Sequence, residues 1–251
     1  MTDPLVAVLR SPRDDAPREA FAAAVARTDP PRAEFVRTQL EIARSRRSFH
    51  PYDAAAAARA MGLASQHGRR WAAEVEPFLA GRFQFRRGFV EEVRMSPALF
   101  VERADALFRV APVLDLVAAS SDGLADLLDS PFASRLRSLS LFDLRLADDV
   151  ASLLAESPFL TTLAWLDLRH NRLTDRGIDR LAAAKNLPAL RFCALSDNVG
   201  EDPNPRGDDD EGGRRGLKRT WAGVRVEKQF GKLPWLGRFS SDDGPDPEAV
   251  G

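Results

Sequence analysis

The sequence predicts an α/β fold, a short solenoid in which each repeat supplies one strand and one helix, with a helical cap at the N-terminus. Two observations predict it. Apolar residues return at a long, regular period between Val90 and Asn198, and residues 4–65 carry helical periodicity without a convincing strand. With 251 residues, 44% of them hydrophobic, the chain has enough apolar surface for one large domain or two small ones.

The period is clearest from Leu163, where LAWLDLRHNRL fills every specified slot of the leucine-rich pattern L-x-x-L-x-L-x-x-N-x-L. The slots are Leu163, Leu166, Leu168, Asn171 and Leu173. The next copy is Leu190, Cys193, Leu195 and Asn198; the preceding one is Leu136, Leu139, Leu141 and Leu146, with Leu144 in the Asn slot. Leu114 and Leu116 keep the central pair of an earlier copy, and Val90, Val93 and Met95 resemble a first one. From second slot to second slot, Val93, Leu114, Leu139, Leu166 and Cys193 are spaced by 21, 25, 27 and 27 residues. That falls inside the range of roughly 20–29 for such repeats. A strand alternates its side chains, so the slot residues point inward and the residues between them face the concave side. One repeat cannot bury its row alone, and stacking does it. The slot Asn is expected to satisfy backbone groups where the chain leaves the strand, which Asn171 and Asn198 can do and Leu144 cannot.

Helical return segments are expected between the strands. Thr174–Asn186 opens on a Thr or Asp cap and carries Ile178, Leu181 and Ala182 at helical spacing, before Leu187-Pro188 ends it. Asp148–Glu156 and Ser121–Leu128 repeat the theme, stopped by Pro158 and Pro131. N-terminal to the array, helices are expected over Pro4–Leu9, Ala16–Ala26, Arg32–Arg47 and Asp53–Ala64, with a break at Asp29-Pro30-Pro31. Residues 201–216 contain only Gly, Pro, Asn and charged side chains, and read as a solvated loop. Arg219–Phe230 then reads as a helix ended by Gly231, with Trp221, Val224, Phe230 and Trp235 available to cover the open edge of the last repeat; Ser240–Gly251 reads as frayed. The expected organisation is a helical region over 1–68, a repeat array over 69–200, and an acidic loop with a C-terminal capping segment over 201–251.

The runs DDAPREAF (Asp14–Phe21) and DPPRAEFVRTQLEIAR (Asp29–Arg44) resemble the repeat-companion domain found at the N-terminus of many bacterial repeat proteins. Trp71, RRGFVEEV (Arg86–Val93), LFRVAPV (Leu107–Val113) and VEKQFGKLPWL (Val226–Leu236) resemble the same group. Where its members commonly carry an aromatic and acidic segment after the first run, this chain has AFAAAVA. The strand-plus-helix period resembles the ribonuclease-inhibitor-like class of leucine-rich repeats. These resemblances imply a cytosolic, non-enzymatic interaction protein.

Charge and cysteine content narrow the chemistry. The 36 basic and 37 acidic side chains leave a formal charge of -1, which removes the bulk electrostatic case for a nucleic-acid or anionic-membrane partner. A lone cysteine, Cys193, forms no intramolecular disulfide, and with three scattered histidines it cannot build a zinc site of the usual spacing. The first thirty residues lack the apolar stretch of a secretory signal, and a cytoplasmic protein is expected.

Each chemical motif has a bland reading beside it. Cys193 occupies a slot held elsewhere by Leu139 and Leu166, which favours a buried apolar role over a nucleophile. The run Asp208–Glu211 lacks the spacing of a calcium loop, and the nearby Arg214, Arg215, Lys218 and Arg219 balance it. Alternating Arg82–Arg87 suits single-stranded nucleic acid, but also a half-buried strand. His50, His67 and His170 lie far apart, with no nucleophile beside them. An enzyme in the N-terminal helices would have to use Asp14, Asp15 and Glu19.

No catalytic residue, cofactor or metal is therefore expected. Along the concave side, Glu92, Val113, Ser138, Trp165 and Phe192 form one row, Arg94, Asp115, Ser140, Asp167 and Ala194 the next, and Val117, Phe142, Arg169 and Ser196 the third. Phe142, Trp165 and Phe192 converge beside Asp167 and Arg169, and aromatics with arginine dominate interface hot spots. These five residues are the expected protein-binding site, unless Trp165 and Phe192 are covered by the chain's own tail. A partner protein on the concave face is the expected function. The alternative is a regulatory or structural subunit that assembles through the N-terminal helices with an operon-encoded effector.

Overall fold

The structure, a computed structural model, describes residues 3–48, 53–200 and 221–236. It is an α/β fold whose six strands form a sheet in chain order: β1 (Phe83–Arg86), β2 (Phe89–Met95), β3 (Asp115–Ala118), β4 (Ser138–Ser140), β5 (Trp165–Asp167) and β6 (Phe192–Ala194). β1 and β2 are antiparallel; β4, β5 and β6 pair in parallel. The chain divides into two compact units, residues 1–95 with 102–116, and residues 96–101 with 117–251. No helix among the described residues is long and apolar enough to cross a membrane.

The N-terminal unit begins with four helices: α1 (Pro4–Arg10), α2 (Ala16–Val25), α3 (Pro30–Arg47) and α4 (Ala54–Ala72). Asp3, Asp29 and Asp53 cap α1, α3 and α4, accepting from Leu5 N at 2.9 Å, Arg32 N at 3.2 Å and Ala56 N at 2.9 Å. Pro30-Pro31 is thus not a gap before the helix but its first turn, where the missing N–H groups need no partner. α4 also runs eight residues past the expected Ala64, which brings Trp71 onto Phe35 of α3, with ring centroids 4.9 Å apart. The alternating Arg82–Arg87 run is a half-buried strand, β1, and it pairs with β2 as a hairpin that the alternation alone does not specify. Its turn is Arg87-Gly88, both at positive φ (46° and 90°). A Cβ at Gly88 would lie 2.5 Å from Val36 Cγ2, so glycine lets α3 pack directly on the turn. From α3, Gln39 donates to Phe85 O at 3.2 Å and accepts from Gly88 N at 2.7 Å, clamping both sides of the hairpin.

Buried charge organises this unit. Arg18 and Glu91 are fully buried and paired at 2.6 Å, and Arg87 reaches the same carboxylate at 3.1 Å. Arg18 also donates to Pro12 O at 2.6 Å, and Arg87 to Pro12 O at 2.9 Å and Arg13 O at 2.7 Å. Two guanidinium groups therefore pin the α1–α2 connection over the hairpin. Val8, Ala22, Val36, Leu40 and Phe89 form the apolar core beside them.

In the C-terminal unit, each residue of β4 pairs with the residue 27 positions on in β5, and β5 with β6 likewise: Ser138 with Trp165 with Phe192, Ser140 with Asp167 with Ala194. The ladder continues beyond the strands, with Asp143 N on Arg169 O and His170 N on Ser196 O, both at 3.1 Å. There Asp143, His170 and Asp197 take the left-handed conformation at φ 54°, 56° and 59°, which short polar side chains tolerate best. Asn171 does what its slot requires. Its amide donates to Leu141 O and Leu168 O at 2.8 and 3.0 Å and its carbonyl accepts from Leu144 N and Leu146 N at 3.1 and 2.9 Å. Asn198 bridges Leu168 O, Leu195 O and Leu173 N in the same way. Leu136, Leu139, Leu141, Leu163, Leu166, Leu168, Leu173 and Leu195 are all fully buried.

Helices α6 (Leu124–Leu128), α7 (Asp148–Glu156) and α8 (Asp175–Ala183) fill the return segments, and Thr174 caps α8 by accepting from Arg176 N at 3.2 Å. A single α7 side chain locks α8 in place: Asp148 accepts from Thr174 N at 2.8 Å and Thr174 Oγ1 at 2.6 Å. A Cβ at Gly177 would fall 2.3 Å from Asp148 Oδ1, so a larger residue there would push this carboxylate off Thr174. Pro131 and Pro158 do not simply stop helices: Pro131 opens a 3-10 turn, Pro131–Arg135, and Pro158 shortly precedes another, Leu160–Thr162. The sequence reading missed α5 (Pro97–Val110) altogether. The last helix, α9 (Trp221–Phe230), docks on α8 through Arg225, 2.5 Å from Asp179. Arg219, the segment 201–216 with its acidic and basic runs, His50, and the tail Ser240–Gly251 lie outside the described residues.

Candidate functional site

The five expected binding residues fall into two classes. Trp165 and Phe192 are each only 6% exposed; their rings stack at 5.8 Å and 27° and cluster with Ala194. Asp167 is buried as well and holds Arg169 from two sides, at 2.9 Å to Nε and 2.8 Å to Nη2. Phe142 is different: at 42% exposure it is the exposed aromatic of the group. The Arg169 guanidinium lies 5.4 Å from its ring centroid, and the His170 ring meets it edge-on at 4.9 Å. His170 Nε2 in turn lies 3.4 Å from Asp197. The strands and the turns after them thus present Phe142, Arg169, His170 and Asp197 in one accessible group, underwritten by Asp167.

Other sequence candidates resolve into structural roles. Cys193 is buried, and burial, reinforced by the Asp167 charge, pushes its thiol up, away from the thiolate. In the Arg82–Arg87 run, Arg86 pairs with Glu92 at 2.7 Å and Asp115 at 3.5 Å, and Arg87 with Glu91, so neither is a spare phosphate contact. Phe83 and Phe85 are half-buried and meet edge to face. His67 tilts against Trp71. Asp15 pairs with Arg47 at 2.5 Å and Arg87 at 3.3 Å; burial opposes its charge, but the two guanidinium groups outweigh that and hold its carboxyl below the ordinary range. Glu19 pairs with Arg44. Among the described residues, no three His, Cys, Asp or Glu side chains are placed to share a metal ion.

A second feature escaped sequence reading. A pocket of about 230 Å³ opens in the N-terminal unit between α1, α2, α3, α4 and the start of β2. Its walls are largely apolar, with Phe21, Val75, Phe89 and Pro112 among them, and its polar lining includes Asp29, Arg32 and Arg70. Arg32 is buried where Trp71 and the hairpin residues Phe85 and Phe89 return to α3, a meeting that no spacing in the sequence marks.

Compared with family models, curated proteins and solved structures, the chain matches none.

Proposed function

We propose that this chain is a non-enzymatic, cytoplasmic protein-binding module whose strand-and-helix units are leucine-rich repeats, and that it takes a partner protein on the concave face of the array. The observation that carries the reading is the Phe142 group. A large exposed aromatic and a guanidinium over its ring, the guanidinium fixed from below by buried Asp167, stand on consecutive 27-residue units, and aromatics with arginine are enriched in interface hot spots. The register from β4 to β6 and the paired Asn171 and Asn198 bridges support the repeat reading, since each unit closes its neighbour's backbone. Trp165 and Phe192, being buried, stabilise the face, and the direct contact belongs to Phe142 and Arg169.

The test is chemical crosslinking of the wild-type chain in host lysate, with mass spectrometry of captured proteins, beside Phe142→Ala and Arg169→Ala. Each truncation is expected to weaken capture of the same partner by about 2 kcal/mol, roughly thirtyfold, without unfolding the chain. Capture that both variants retain in full would move the interface off this face.

A further inference from the structure

Arg32 is only 7% exposed, and its Nη1 is buried without a hydrogen-bond partner. Among the described residues no carboxylate forms an ion pair with it. Asp29, its neighbour in sequence, is committed elsewhere: to the Arg32 backbone N–H at 3.2 Å, to Arg70 at 2.8 Å and to Trp71 Nε1 at 3.2 Å. What surrounds the guanidinium is aromatic. The ring centroids of Trp71 and Phe89 lie 4.9 and 5.0 Å from it, with Phe35, Phe85 and Phe21 within 5.9 Å. Ring faces attract a cation but do not accept its fork of N–H donors as a carboxylate does. Burial, the largest influence, pushes this guanidinium down to about 10, opposed by Asp29 and reinforced by Arg70. A buried cation with an idle donor is costly to the fold, and this one lines the pocket.

We propose that the Arg32 pocket binds a small carboxylate with an apolar body, the carboxylate meeting the guanidinium and the body packing on the apolar walls. The planar fork of a guanidinium matches a carboxylate edge to edge. A single unpaired cation matches a monoanion, and Glu74, exposed among the lining residues, disfavours a ligand of higher negative charge. At about 230 Å³ the pocket is smaller than the roughly 300–1,000 Å³ of drug-sized sites, which restricts the body to the size of one apolar side chain. Two sources carry this chemistry, a free apolar carboxylic acid and the C-terminal residue of a polypeptide.

Calorimetric titration of the full chain with 3-phenylpropionate and with N-acetylglycyl-phenylalanine, each beside its amide, separates them. At least one acid is expected to saturate the protein, with its amide about tenfold weaker or worse. Binding of the free acid alone assigns a small-molecule ligand; binding of the peptide acid assigns a chain terminus. Arg32→Met, which keeps the stem and removes the charge, should abolish the preference for acid over amide while the Tm holds or rises. The proposal is overturned if neither acid saturates the wild type below about 10 mM. Equal binding of acid and amide by the wild type overturns it too, as does an unchanged acid preference in Arg32→Met. The acid–amide comparison needs no variant, and its failure leaves the Phe142 reading untouched.

Discussion

The most extensive buried polar networks of the two units are built by different means. In the N-terminal unit the largest fully buried network is charged: Glu91 between Arg18 and Arg87, with guanidinium donors reaching carbonyls up to 75 residues away, while Arg32 and Asp115 are buried apart from it. In the C-terminal unit, beside the buried Asp167 that holds Arg169, a neutral device recurs: Asn171 and Asn198, 27 positions apart, each closing backbone groups on its own strand-and-helix segment and the one before. A charged centre concentrates risk, because removing one partner strands the others without compensation. A ladder of amides divides the same task into separable pieces.

That contrast is sharpest at Glu91. Glu91→Gln keeps the shape and removes the counter-charge from two buried guanidinium groups, and is expected to cost about 3–5 kcal/mol by denaturant unfolding. A loss below about 1 kcal/mol would mean that water or Asp15 compensates Arg18 and Arg87, and the contrast between the units would fall. Next in size, Asn171→Ala should cost about 2–3 kcal/mol, since it orphans backbone groups on both sides of the turn. Amide exchange should accelerate first at Leu144 and Leu146, the donors Asn171 accepts, and protection retained there would contradict the bridge.

Legibility followed the same division. The strand positions, α7 and the Asn bridges were readable because each residue answers to a partner 27 positions away, and that spacing is visible in the sequence. Thr174, Asp148–Glu156 and the inward leucines were likewise readable from local caps and helical spacing. The hairpin, the full length of α4 and the Arg32 pocket were not. They depend on single-copy meetings such as Gln39 with Gly88 and Trp71 with Phe35, which leave no periodic trace. α5 lies between the two weakest copies of the pattern, where no strong slot marks where a return segment begins or ends. At the candidate site Phe142 and Arg169 were readable as neighbours in one row, while the sequence left open whether Trp165 and Phe192 are covered, because alternation along a strand says which way a side chain points and not what covers it.

Smaller effects refine the comparison. Thr174→Ala removes a cap and one bond to Asp148, and should cost about 1 kcal/mol in thermal unfolding, well below either buried centre. Acid acts on the charged unit. The Asp15 carboxyl is held below its ordinary value of 3.8 in the folded state, so the stability it contributes is present above that pH and is lost as pH falls through and below it. Asp15→Asn should flatten the acid limb of the N-terminal unit's stability curve and leave neutral-pH stability only slightly lower; an unchanged acid limb would place the sensitive group elsewhere.

The central claim is that this face separates holding from binding, with Trp165 serving the fold and Phe142 serving the partner. Measuring chemical stability and crosslinked capture together for Trp165→Ala and Phe142→Ala tests it most directly. Trp165→Ala is expected to lose about 3–5 kcal/mol of stability. Phe142→Ala is expected to keep wild-type stability within about 0.5 kcal/mol and to lose capture. A Trp165→Ala chain as stable as wild type, or a Phe142→Ala chain that captures the same partner undiminished, would contradict it.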